Sequence, residues 1–429
     1  MLVIKGYKAA RQALLERRKV SGDKSQEDAV CEQAVREIIE AVRCDGDAAL
    51  IEYAKCYDNV ELLEIEVDIE DAHKAKQSID VELLKALEMA VERIRSYHEE
   101  QKKGLEKAVE AMEGRQELRA IAKTGVYVPG GTAVYPSTVL MTAIPAKVAG
   151  VKELVMVTPP DKNGEVPMVT LAAASIAGVD RIFLSGGAQA IAALALGTKT
   201  VPKVDKICGP GNIYVTTAKK LLYGTVGIDG LYGPSEVVIV ADETAKAVSV
   251  AADMMAQAEH DRLAQTVFIT TSEELAVGVA TELNTQLEEL DREEIIKHSL
   301  DNNGIIIIVK GLEEALELAN VYAPEHLLLL VDNAEERIGQ IENAGCIIYG
   351  EKATVAVSDY IDGPSHALPT GGTARFSSPL GVADFMKYID IVNVDKKKMG
   401  EVGEAAQKIA QAEGLTAHAK ALEKRREEK

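Results

Sequence analysis

Tryptophan is absent from the 429 residues, and with four phenylalanines and 13 tyrosines the aromatics reach only 4%. The interior must therefore be filled by Ala, Val, Ile and Leu, a composition suited to helices laid closely on parallel sheets. Cysteine is sparse as well. Cys31, Cys44, Cys56, Cys208 and Cys346 are odd in number and never spaced C-x-x-C. That excludes a disulfide framework and a thiolate zinc finger, and it suits a reducing cytosol. Positive charge is in deficit: 48 Lys and Arg against 68 Asp and Glu give a formal net charge of −20. Nonspecific nucleic-acid or anionic-membrane binding needs a basic footprint, so neither partner is expected. No stretch of ~18 uninterrupted apolar residues offers a membrane span. The N-terminus carries charge too early to read as a secretory signal. The expectation is a soluble, cytoplasmic protein.

What is present is 47% hydrophobic and 27% charged, an ordinary globular balance. At ~100–200 residues per domain, the length predicts two or more folded units. The first 120 or so residues read as helical, with apolar residues at three- and four-residue spacing among charges, and Ser25 resembles a helix-start cap. His73 and His98 fall in this charged region and read as ordinary surface residues. From about residue 121 short β-branched runs alternate with Ala-rich helical stretches. ELVMVT, RIFLS and KVDKICG form one series; EVVIVA, QTVFIT, GIIIIVK, HLLLLV and GCIIYG form a second. Such alternation predicts right-handed βαβ units, hence two doubly wound, incomplete Rossmann-like α/β domains with parallel sheets, with a junction near 230–236. Helical extensions are expected at both ends.

Seven histidines make a short set to inspect. Gln257 and His260, in MMAQAEHD, share one helix face and can reach one point; a metal role and a backbone-bonded terminal His both remain open. Any zinc site must be built from N and O ligands brought together from distant segments. Asp359, in SDY, lies beyond the last strand, where α/β loops carry ligands. His366 sits in the loop GPSHALPTGG. Glu413 and His418 read by spacing as solvated helix residues, and His298 as a helix C-terminal cation. In APEHLLLLV, Glu325 and His326 stand at the mouth of an apolar strand; an acid–base pair and a backbone-satisfied buried His are both open. Three Gly-rich turns, YVPGGT, SGGAQA and CGPGNIY, have the form that presents N–H groups to phosphate, yet none completes G-x-G-x-x-G.

Together these motifs resemble the histidinol dehydrogenase family. The resemblance runs from about residue 25 to the C-terminus and rests on YVPGG, STVLM, GGAQAIAALA, VPKVDKI, GPSEV, QAEHD, PEHL, GPSHALPTGGTARFSSPLG and GLTAH, in order. It implies zinc-dependent, NAD-linked, four-electron oxidation of L-histidinol through L-histidinal to L-histidine, by a homodimer whose active site is shared between subunits. It places zinc ligands at Gln257, His260, Asp359 and His418, the last from the partner subunit. Substrate contacts fall on Ser235, Gln257, His260, His326, Asp359, Glu413 and His418, with His366 added by loop position. NAD contacts fall on Tyr127, Gln189 and Asn212, in the three Gly-rich turns. Catalysis falls to His326, as base for the alcohol proton, and Glu325, as base for water. The sequence has SDY where many relatives have GDY, with the aspartate kept.

The expected division is a helical arm over 1–22, a first α/β domain from 23–120 and 236–380, an NAD-contacting domain over 121–235, and a helical dimerisation segment over 381–429. Three rivals stand beside this reading. A paralogous zinc/NAD polyol dehydrogenase, such as one acting on dihydroxypropanesulfonate, would need an anion pocket. A thiolate aldehyde dehydrogenase would have to use Cys208, with only Lys206 nearby to lower its pKa. A zinc hydrolase or non-catalytic metal binder would not reduce NAD.

Overall fold

The computed structural model describes residues 1–20, 26–130, 133–350 and 352–427. The chain divides into two compact units, one of Met1–Lys103 with Ala120–Met386 and one of Gly104–Arg119 with Lys387–Lys429. The strands in chain order are β1 (Leu2–Lys5), β2 (Glu66–Val67), β3 (Gln116–Ala120), β4 (Lys123–Tyr127), β5 (Glu153–Thr158), β6 (Arg181–Leu184) and β7 (Lys206–Cys208). Then come β8 (Gly227–Ile228), β9 (Glu236–Ala241), β10 (Gln265–Thr270), β11 (Gly304–Ile308), β12 (His326–Leu330), β13 (Cys346–Tyr349) and β14 (Met386–Asp390).

The first unit holds two six-stranded sheets, which is the α/β architecture the alternating pattern predicts. One runs β1-β11-β10-β9-β12-β13 and is parallel throughout. The other runs β2-β6-β5-β4-β7-β8, with only the edge strand β2 antiparallel. The central strands of the first sheet, β9 to β12, are greasy on both faces because helices cover both. Val238, Val240, Ile269 and Leu327 face helices Tyr7–Val20 and Leu312–Tyr322. Their neighbours one residue along, Val237, Ile239, Phe268 and Leu328, face helices Ala247–Ala258 and Glu273–Leu287. This is the two-residue alternation of a pleated strand. In the second unit, helices Lys396–Ala412 and Thr416–Glu427 pack on one another. β3 and β14 form a two-stranded sheet.

Several expectations are corrected. Residues 2–5 are not part of a helical arm: they add β1 to the first sheet in register with residues 305–308. Residues from about 26 to 78 do not belong with the first sheet. Val35, Ile38 and Val42 of helix Gln26–Asp45 bury against Ile191, Leu194 and Val215 of the second-sheet helices, and β2 pairs with β6. His98 is not a surface residue but fully buried, its Nδ1 2.8 Å from Gln101 Oε1. It continues the stripe Leu87, Ala90, Ile94 along helix Val81–Glu110, at helical spacing that charged neighbours obscure. His298 lies inside helix Glu293–Asn303 rather than at its end, with Nδ1 3.3 Å from Arg262 O. The Ser25 cap and the boundary between residues 22 and 23 fall outside the described residues.

One buried ion pair braces the second sheet. Lys219 and Asp229, 2% and 1% exposed, meet at 2.5 Å. Asp229 accepts the Gly209 N–H at 2.7 Å while Lys219 donates to the Gly209 carbonyl at 3.0 Å. Both peptide groups of one loop glycine are thus held. Lys219→Met would leave a buried carboxylate uncompensated, a change that costs about 3–5 kcal/mol. Urea denaturation should show that loss, and adding Asp229→Asn should recover part of it. A double variant as weak as the sum of the two single losses would mean the pair is not coupled.

Candidate functional site

β9 and β12 are neighbours, and His326 pairs in register with Val237 on one side and Cys346 on the other. Their amino ends therefore lie together, carrying Ser235 just before β9 and Glu236 as its first residue, and Glu325 just before β12 with His326 as its first residue. Ligands of α/β sheets usually gather at the carboxyl ends; this sheet offers its amino end instead. Pro324 follows Ala323, whose φ of +53 turns the chain out of helix Leu312–Tyr322. The Glu325 backbone carbonyl then accepts the Cys346 N–H at 2.9 Å. Gly345 must be glycine here, since a Cβ would stand 2.6 Å from that carbonyl oxygen.

Asp359 reaches the same place from the short helix Val355–Tyr360, which folds back so that Ser358 Oγ lies 3.7 Å from Cys346 Sγ. His326 Nε2 is 3.1 Å from Asp359 Oδ1, both side chains buried. His326 Nδ1 is 3.9 Å from Glu325 Oε2 and has no hydrogen-bond partner. Glu325 Oε2 accepts the Glu236 N–H at 2.7 Å. His366 sets its Nδ1 2.8 Å from the Asp359 backbone oxygen and its Nε2 3.3 Å from Thr138 Oγ1.

The charges follow from these contacts. Burial pushes the Glu325 carboxyl up, only partly offset by His326 and the Glu236 N–H. Burial alone would lower His326, but Asp359 outweighs it and holds the imidazole above its usual range. His326 in turn keeps Asp359 low against burial. Burial lowers His260 and His366, which favours the neutral ring in both.

The donor set fits a divalent cation. Gln257, 2% exposed near the end of helix Ala247–Ala258, has a buried Oε1 with no partner. A carbonyl oxygen stranded in this way is stabilised by a cation or a donor. His260 follows one turn later, its N–H on the Gln257 carbonyl at 3.3 Å, and feels Asp359 electrostatically. Among the described residues no group of three or more His, Cys, Asp and Glu side chains is placed to hold a metal. A cleft of about 480 Å³ opens beside His260, walled by Leu87, Tyr135, Leu140, Glu259, Arg292 and Tyr360. That volume suits a small molecule.

The second sheet supplies another crevice. Its strand order reverses between β4 and β7, and their carboxyl ends carry Tyr127 and the Gly209–Asn212 turn. Tyr127 OH accepts the Gly187 N–H at 3.2 Å, and Gln189 lies buried in the first turn of helix Gly187–Leu196. Asn212 caps helix Ile213–Leu222, taking the N–H groups of Tyr214 and Val215 at 3.0 and 3.1 Å. Gly209 has φ +113, and a Cβ there would fall 2.2 Å from the Tyr127 carbonyl oxygen. Close-packed turns and two helix N-termini make a cradle that fits a dinucleotide's phosphates. Burial raises the Tyr127 phenol to about 12, with nearby Asp58 adding to the shift; burial also lifts Asp58 to about 6.

Not every expected residue belongs to these clusters. Ser235 is half-buried beside them, but Glu413 and His418 lie in the second unit, exposed, at the end of helix Lys396–Ala412 and in helix Thr416–Glu427. Cys208 is fully buried, and burial raises its thiol well above the usual value, the reverse of what a thiolate nucleophile needs. Sequence reasoning missed Glu236, Thr138, Asp58 and Arg292. Glu236 alone carried a signal, as a charge opening the greasy run EVVIVA.

Residues 21–426 match the family model described as histidinol dehydrogenase. A histidinol dehydrogenase of Dehalococcoides mccartyi strain CBDB1 is 56% identical over 396 residues, covering 92% of this chain and 91% of that protein. One from strain ATCC BAA-2266 is 52% identical with both chains covered in full. The crystal structure of histidinol dehydrogenase from Elizabethkingia anophelis superimposes with a TM-score of 0.88 at 33% identity, covering 99% of this chain and 98% of that one.

The stranded Gln257 oxygen generates a test that needs no substrate. Gln257→Leu removes a buried acceptor without a partner, so the metal-free protein should gain about 1 kcal/mol in thermal unfolding. Calorimetric titration with zinc chloride should at the same time show affinity reduced tenfold or more. Unchanged zinc affinity would remove Gln257 from the ligand set.

Proposed function

The chain belongs to the histidinol dehydrogenase family, and from that premise we propose that it oxidises L-histidinol through L-histidinal to L-histidine, reducing two NAD. One observation carries the chemistry: Glu325 and His326 are adjacent, buried and differently held, one by a peptide N–H and the other by a carboxylate. Two groups in distinct environments at one site suit two oxidations with distinct proton demands. The full-length relatives at about half identity are histidinol dehydrogenases, which favours this substrate over a sulfonated propanediol.

Gln257, His260 and Asp359, joined by His418 of the partner subunit, would hold zinc, and Tyr127, Gln189 and Asn212 would line the NAD site. A bound ion would orient the substrate, and two NAD in turn would each accept one hydride. His326 acts in its neutral form, which its raised pKa of about 9 makes more abundant as pH rises: with Nε2–H donated to Asp359, Nδ1 is left to take the alcohol proton as the first hydride leaves. Glu325 acts in its ionised form, above its raised pKa of about 8: with Oε2 held by the Glu236 N–H, Oε1 is left to take a proton from the water that adds to the aldehyde. His326, having released the alcohol proton to solvent, then accepts the hydroxyl proton of the hydrate as the second hydride departs. Ser235, Glu413 and His366 complete the substrate's surroundings. The family's shared-site homodimer supports Glu413 coming from the same partner as His418. Among the described residues no helix is long and apolar enough to cross a membrane, which agrees with a cytoplasmic enzyme.

NADH counted against limiting L-histidinol, with the zinc-loaded protein, should give a ratio of about two with histidine as product. Cys208→Ser should leave that ratio unchanged and the rate within about twofold. No NADH from histidinol, but reduction with a sulfonated diol, would overturn the substrate assignment. Loss of turnover in a folded Cys208→Ser protein would bring back the thiolate route.

A further inference from the structure

Glu236 is a buried carboxylate that the two oxidations leave unused. Its side chain, 2% exposed, forms a two-pronged ion pair with Arg18 of helix Tyr7–Val20. Nη1 donates to Oε1 at 2.6 Å and Nη2 to Oε2 at 2.9 Å. Oε1 also takes the Gly371 N–H at 3.2 Å. The Arg18 guanidinium lies 3.7 Å above the buried Tyr322 ring, and its Nε donates to the Tyr322 carbonyl at 2.9 Å. The Tyr322 hydroxyl is held in turn by Gln265 Oε1 at 2.8 Å. Arg18 therefore fastens the end of helix Leu312–Tyr322, three residues before Glu325, to the first residue of β9. That residue's own N–H is the group that holds Glu325 Oε2 at 2.7 Å.

Both supports of Glu325, the chain leading to it and the donor on its carboxylate, thus depend on one guanidinium. Arg18 is itself only 12% exposed and lies behind Glu236, so it acts through its neighbours. A planar fork stacked on a ring holds this geometry where a lysine, with a single charged point, does not. Catalytic groups must be held within ~0.5 Å of the productive position, so a small loss of fit behind Glu325 reaches the chemistry.

We infer that Arg18 and Glu236 are positioning residues for the second oxidation: their ion pair aims the Glu325 carboxylate at the water that adds to the aldehyde. The inference rests on the role proposed above for Glu325.

Histidinal allows each half of the reaction to be read separately in the zinc-loaded enzyme. Its reduction by NADH is the reverse of the first oxidation and needs no water activation; its oxidation by NAD is the second. Arg18→Lys should slow histidinal oxidation tenfold or more in kcat, with KM within twofold, while histidinal reduction stays within threefold. In a Glu325→Gln background, adding Arg18→Lys should cost no further factor in oxidation, because the group it aims is already gone. The double variant Arg18→Met/Glu236→Gln leaves no buried ion unpaired and should show the same selective loss if Arg18→Lys folds poorly by circular dichroism. Equal losses in both directions, no loss in either, or the same penalty with and without Glu325 would overturn the positioning role. If Glu325→Gln by itself leaves histidinal oxidation unchanged, the role given to Glu325 fails first, and that single-variant control separates the two failures.

Discussion

Glu325 and His326 are buried side by side at the start of a parallel strand, and the site depends on how their neighbours compensate them. An ionised carboxylate or imidazolium in such a place costs several kcal/mol unless matched. Asp359 at 3.1 Å matches His326; the Glu236 N–H at 2.7 Å matches Glu325. Each compensating group is held by its own neighbours. Asp359 sits on a helix folded back over β13 and bonded through its backbone oxygen to His366, and Glu236 is clamped by Arg18. These polar contacts gather four segments far apart in sequence, around Arg18, Glu236, Glu325–His326 and Asp359–His366.

The two sheets of the first unit serve different ends of their strands. The second sheet follows the familiar rule, with glycine turns and helix N-termini at the carboxyl ends on either side of the strand-order reversal. The first sheet has its buried Glu325–His326 pair at the amino end of β12 beside that of β9, where side chains emerge next to peptide N–H groups that the strand ladder leaves unused. That accounts for Glu236 donating to Glu325 rather than to a neighbouring strand. It also accounts for Gly345, since β13 must approach the Glu325 carbonyl too closely for any side chain.

Much of the parallel-sheet core was legible because its signal is local. EVVIVA, QTVFIT, GIIIIVK and HLLLLV are runs that only a two-sided sheet buries, and each is a strand. Gln257 with His260, and Glu325 with His326, stand close enough in sequence to be noticed as pairs. What stayed hidden is nonlocal. LVIK at residues 2–5 pairs across some three hundred positions with β11, and no local feature marks it as strand. Helix Gln26–Asp45 shows an apolar face but not which sheet will cover it. His98 was masked by the charged neighbours on its own helix. Arg18 and Glu236, 218 residues apart, carry no mutual signal at all. The roles of Glu413 and His418 came from family resemblance, since spacing alone made them solvated helix residues.

If proton handling is divided between two adjacent residues as proposed, Glu325 is needed only after the aldehyde has formed. Product analysis of the Glu325→Gln enzyme, given limiting L-histidinol and excess NAD with an aldehyde trap, tests it most directly. About one NADH per histidinol, with trapped histidinal, is the expected result. Two NADH and free histidine at an undiminished rate would contradict it.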